Sequence, residues 1–194
     1  MAPSPVFLDK IPIAREEIVS IARRGMKAAL SEECEKRVER TRELVRRWVE
    51  EEKIIYGITT GFGALCDRTI SKRDTRRLQE NILMSHAAGV GRHFSEEIVR
   101  AMMALRIHDL SLGYGGVRME TLRFLLTLLN EDVTPCIPEK GSVGASGDLA
   151  PAAHMALLLI GRGEAFFKGR RLSGEEALGL IGLEPIRQIG RAHV

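Results

Sequence analysis

The stretch EKGSVGASGDLAPAAH, Glu139 to His154, spaces Gly141, Gly144 and Gly147 three residues apart and sets Ala145-Ser146 between the last two. An apolar run with helical spacing follows. Glycine at this density permits left-handed backbone and close chain approach, so the segment reads as a tight turn leading into a helix. Three generic chemistries fail on spacing. A Walker phosphate loop needs GxxxxGK followed by Ser or Thr, which Gly147 lacks, and the dinucleotide pattern GxGxxG is absent. A nucleophile elbow, GxSxG, could use Gly144 and Ser146 but needs glycine where Asp148 stands. Spacing alone therefore leaves a structural turn, with Asp148 as N-cap and Pro151 in the first helical turn.

Outward from this loop, apolar residues recur at helical intervals. Glu16 to Arg24 predicts a short helix stopped at Gly25. Ser31 caps a long amphipathic helix through Val38, Leu44, Val45, Trp48 and Val49 to about Lys53. KIIYGITTGFGAL, from Lys53, reads as a loop with one short strand. Ser71 and Asp74 open a helix through Leu78, Ile82 and Leu83 towards Gly89. Ser95 opens another through Ile98, Met102, Leu105 and Leu110. Met119 to Leu129 is apolar on more than one face and predicts a helix buried against several others, closed off by Pro135 and Pro138. EAFFKGRRL predicts a hairpin turning at Gly169, and Ser173 with Glu176 a capping box for a last helix ending near Gly182. The fold class is mainly α, with short strands and a small hairpin.

Composition limits the function. The chain has 194 residues, 44% hydrophobic and 28% charged, enough for one domain with a real core. Its 29 basic and 26 acidic residues are interleaved, giving a net charge of +3, which does not ask for nucleic acid. The densest basic run, KRDTRR from Lys72 to Arg77, reads as a solvated face or subunit contact. Cys34, Cys66 and Cys136 are far apart with no CxxC pair, which argues against disulfides and a structural metal and fits a cytoplasmic location. No apolar run approaches membrane-spanning length and no signal pattern opens the chain.

GSVGASGDLAPAAHM resembles, over its whole length, the signature of the histidine and phenylalanine ammonia-lyases. YGITTGFG (Tyr56 to Gly63), SHAAGVG (Ser85 to Gly91), LGYGGVR (Leu112 to Arg118) and GRGEA agree in order, so the resemblance covers about Val6 to Ile186. It implies the helical fold of the fumarase/aspartase-like superfamily, of which residues 1–186 would be the N-terminal part, bearing the electrophile. The family's C-terminal helical bundle would be absent, and 187–194 (RQIGRAHV) do not look like the family's continuation. A truncated chain of this kind predicts apolar faces, such as Met119 to Leu129, left exposed or re-paired in an unusual oligomer.

In that family the Ala-Ser-Gly at the loop centre becomes 4-methylideneimidazol-5-one (MIO), made from the protein itself with no external cofactor and no metal. The resemblance places this on Ala145, Ser146 and Gly147. The amide nitrogen of Gly147 would attack the carbonyl carbon of Ala145, and Ser146 would lose its hydroxyl as water. Asp148 is the matching candidate for assisting ring formation. By the same resemblance Tyr56 takes the substrate's β-proton, a role that requires its ordinary pKa of about 10 to be lowered. The plain alternative for Tyr56 is a half-buried strand tyrosine.

His86 in SHAA looks like the histidine-lyase version of its block, contacting the substrate imidazole; its plain alternative is a helix histidine satisfied by a backbone carbonyl. His93, His108 and His154 read as structural. Together these imply L-histidine converted to urocanate and ammonia, by a homotetramer in the full-length family. Three features depart from the histidine-lyase pattern: Thr59 stands for a common asparagine, and His108 and Gly115 for Asn and Ser. A phenylalanine or tyrosine lyase, an aminomutase, and a catalytically silent, self-associating fragment stay open beside the first reading.

Overall fold

The computed structural model describes residues 4–55, 58, 60 and 75–186, the side chains of 75–79 excepted. Tyr56, Thr59, Cys66, the first half of the KRDTRR run (72–74) and the tail 187–194 thus lie outside the described residues.

Helix α1 (Arg15–Arg24) ends at Gly25, as its spacing predicts. In α2 (Glu32–Glu50) the Ser31 hydroxyl accepts from the Cys34 amide at 3.2 Å, so the expected cap forms. The helix stops short of Lys53 and buries only Cys34, Val38 and Val45, leaving Leu44 exposed. Helix α3 (Thr75–His86) is followed by α4 (Glu96–Ser111) and α5 (Met119–Asn130), with α6 (Leu149–Leu157) and α7 (Gly174–Leu180) nearer the end. Ser95 occupies the N-cap position of α4 but makes no side-chain capping bond.

The inward face of α4 differs from expectation. Val99, Met103, Ala104, Ile107 and Leu110 are buried, while Ile98 and Leu105 are exposed. The helix is apolar around much of its girth, so two stripes compete, and packing against α1 decides between them. Helix α5 is buried on several faces by α4, α2 and the 158–160 turn, with Leu122, Leu125, Leu128 and Leu129 sealed from solvent. The expectation that Met119 to Leu129 would be left exposed in so short a chain is therefore corrected. Each such leucine contributes about 1.5–3 kcal/mol on burial.

Short strands tie the helices together. Strands β1 (Val6–Phe7) and β2 (Ala28–Ala29) pair in parallel. Strand β3 (Val90–His93) pairs antiparallel with β5 (Pro138–Lys140), in the register Val90 to Lys140 and His93 to Pro138. Strand β4 (Thr134–Pro135) pairs with β6 (Glu164–Phe167), which forms the expected hairpin with β7 (Arg170–Ser173). Ser173 and Glu176 make the expected capping box. No helix of the described residues is long and apolar enough to cross a membrane.

Candidate active site

The β3–β5 pair positions the site. Strand β3 starts three residues after α3, which carries His86 at its C-terminus, and β5 runs directly into Gly141 and the glycine-rich loop. The pairing therefore brings the SHAAGVG block beside the loop, and α3 packs on α6 beyond it. His86, Ala88, Ser142, Val143, Leu149 and Ala150 line one cleft of about 430 Å³.

The loop itself is a solvent-facing turn. Gly144 and Gly147 adopt φ of 87° and 75°, left-handed values that a side chain strains to reach, and they bracket Ala145 and Ser146. All of 142–146 is exposed. The Ser142 hydroxyl reaches across the turn and donates to the Gly147 carbonyl. A turn open to solvent and bracketed by two left-handed glycines fits a chain segment that folds back on itself for ring closure between Gly147 and Ala145. Asp148 is a correction. It stands at the N-cap of α6, but its backbone is in the right-handed helical region and its carboxylate makes no capping bond, because capping geometry needs an extended residue there.

His86 is exposed, and its Nδ1 lies 2.8 Å from the Ile82 carbonyl, with the Ser85 hydroxyl 3.0 Å away. A carbonyl only accepts, so Nδ1 carries the proton and Nε2 of the neutral ring is left as an acceptor. The bond expected of a plain helix histidine and a place in the cleft thus coexist.

Of the histidines read as structural, His108 Nδ1 lies 2.6 Å from the Leu8 carbonyl, and His93 meets Phe166 edge-on at 6.1 Å. His154 does more than pack. Its Nε2 accepts from the Gly89 amide at 3.0 Å, which puts its proton on Nδ1. Burial pushes its pKa down, and nearby His93 adds to that. Ser142 and the His154–Gly89 bond escaped sequence reasoning, since the first depends on how the loop turns back towards Gly147 and the second on α6 lying beside the α3–β3 link. The Cys34 and Cys136 thiols are buried, and burial pushes each up to about 11.

Nearly the whole chain, not the turn alone, is similar to a known class of enzymes. The sequence profile of the aromatic amino acid lyases matches residues 13–191, and the chain belongs to that family. It is 49% identical over 181 residues to the histidine ammonia-lyase of Alkaliphilus oremlandii, covering 93% of this chain and 36% of that relative. The tyrosine aminomutase of Streptomyces globisporus superposes with a TM-score of 0.89 at 34% identity, over 97% of this chain and 35% of that one. The Trypanosoma cruzi histidine ammonia-lyase gives 0.87 at 30% identity, over 97% and 36%. The chain spans about a third of the length of the curated relatives it matches.

Proposed function

We propose that this chain carries the electrophile-forming and imidazole-recognising part of a histidine ammonia-lyase, converting L-histidine to urocanate and ammonia. The observation that carries the reading is the turn bearing Ala145-Ser146-Gly147, with left-handed Gly144 and Gly147, whose flanking residues Ser142, Val143 and Leu149 line one cleft with His86. The amide nitrogen of Gly147 attacks the Ala145 carbonyl carbon, whose oxygen leaves as one water, and the Ser146 hydroxyl leaves as the second. When formed, the MIO group supplies an electrophile that captures the substrate's amine and lets ammonia depart. Tyr56 takes the β-proton, and Asp148, free of a capping bond, assists ring closure from beside Gly147. His86 Nε2 accepts from the substrate imidazole. No external cofactor is needed, and the protein is placed in the cytoplasm as a homotetramer.

Intact mass and turnover test this. A deficit of two waters that vanishes in Ser146→Ala, with urocanate absorbance appearing from histidine, is the expected result. An unmodified mass would make the chain a catalytically silent piece. The likeness to a tyrosine aminomutase at 34% identity favours a second reading, an aromatic lyase or aminomutase. A β-amino acid product in place of released ammonia would select the aminomutase.

A further inference from the structure

Three segments cross at one point beneath the loop. A Cβ at Gly89 would stand 3.0 Å from His154 Nε2 and 3.2 Å from Pro138 Cβ, and one at Gly141 would stand 3.0 Å from Gly89 Cα. The chain runs from His86 through Gly89 into β3, across to β5, through Gly141 and the loop into α6, and His154 on α6 returns to the Gly89 amide. That single bond closes the circuit joining the His86 segment to Ala145-Ser146-Gly147. A protonated imidazole has no lone pair at Nε2 and cannot accept it.

We propose that His154 is a positioning residue: as the neutral Nδ1–H imidazole it holds Gly89, and with it the His86 segment, at a fixed distance from the Ala145-Ser146-Gly147 turn. What is positioned rests on the ammonia-lyase reading; the bond does not. Of the titratable and charged residues on the neighbouring elements, α3 carries Glu80 and His86, β3 carries Arg92 and His93, and β5 carries Glu139 and Lys140. Arg92 and Glu139 pair at 4.0 Å, the Lys140 stem extends along Gly91, and His86 is bound to Ile82. His93 is the group that acts on the ring, and its charge opposes protonation. Acidification below the ordinary histidine range therefore releases the clamp, and neutral pH keeps it closed.

The test uses the labelled 194-residue chain and two variants. At about pH 7.5 the imidazole nitrogen spectrum is expected to show the Nδ1–H tautomer at His154. The Gly89 amide protection factor is expected to hold near neutrality and to fall progressively as pH is taken below the ordinary histidine value of about 6.5 towards about pH 4. His154→Gln keeps an acceptor that does not titrate, so Gly89 stays protected at both pH values. His154→Leu loses protection at both and slows the two-water mass loss, which Gln restores. An Nε2–H tautomer, or Gly89 protection independent of pH in the native chain, overturns the proposal even if the leucine variant fails to fold. A clamp that behaves as expected in a chain that never loses water supports the proposal and counts against the lyase reading.

Discussion

Gly141 passes so close to Gly89 that a Cβ on it would sit 3.0 Å from the Gly89 Cα and 3.2 Å from the Ala150 Cβ. Its φ is not left-handed, so glycine is needed here for space alone. The entrance to the loop is thereby pinned between the α3–β3 link and the start of α6.

Gly141→Ala is expected to destabilise the chain by about 1–3 kcal/mol, the usual cost of overpacking, and to delay the two-water mass loss. Ala150→Gly removes the softer contact but not the one to backbone, so the double variant recovers little. Gly179, inside α7 with nothing within 4 Å, is the control. Its replacement by alanine should stabilise by about 0.5–1 kcal/mol through helix propensity. Urea midpoints measure all three.

The Ser142 hydroxyl donates to the Gly147 carbonyl and braces the turn on which the proposed ring closure depends. Ser142→Ala is expected to slow ring formation about threefold to tenfold, the equivalent of one hydrogen bond of about 1 kcal/mol, without abolishing it. Ser142→Thr keeps the hydroxyl and the rate. A time course of intact mass after synthesis distinguishes these from Ser146→Ala, which forms no ring at all. Equal rates in Ser142→Ala and the native chain would remove Ser142 from the machinery.

Much of this architecture was legible before the structure, and the reason differs from element to element. Ser31, Gly25 and the Ser173–Glu176 box are local signals, satisfied within a turn of helix, and each end falls where they stand. Helix α4 resisted because Ile98, Met102 and Leu105 are as apolar as Val99, Met103 and Ile107; only a tertiary partner chooses. In the site, the tight turn ahead of α6 was legible from its glycines, and Gly144 and Gly147 take the left-handed backbone that glycine permits. The turn's placement against His86 was not, because it depends on β3 pairing with β5 some 45 residues later, and no local pattern encodes that register.

Arg100 offers a test of the scaffold. The residue is 8% exposed, and its guanidinium donates to the Ile21 carbonyl through Nε at 3.2 Å and Nη2 at 2.9 Å. Nη1 reaches the Leu129 carbonyl at 3.0 Å and also meets Asp132. Both carbonyls lie in the last turns of their helices, α1 and α5, where intrahelical donors run out. Arg100→Met should cost about 2–4 kcal/mol by leaving two buried acceptors unmet. Arg100→Lys should recover less than half of that, since a point ammonium cannot span both helix ends. Urea denaturation of the two variants checks the order.

Asp9 makes the stability of the N-terminal region depend on pH. Its carboxylate is buried, which opposes ionisation, but the Ser31 hydroxyl at 2.5 Å, the Ser31 amide at 3.0 Å and Arg37 at 3.3 Å outweigh that and hold its pKa below the ordinary 3.8. The same Ser31 hydroxyl caps α2, so Asp9 orients the cap as well as pairing with Arg37. A carboxyl whose folded pKa is depressed binds fewer protons folded than unfolded, so its contribution is complete above about pH 3.8 and is lost as pH falls through the lower folded value. Asp9→Asn should therefore cost about 1–3 kcal/mol near neutrality, where charge-assisted bonds are lost. The gap between variant and native chain should narrow as the medium is taken below about pH 3.8. Urea midpoints of both proteins at about pH 7 and about pH 3 measure it, and a gap that stays constant or widens on acidification would show that Asp9 is not ionised in the fold.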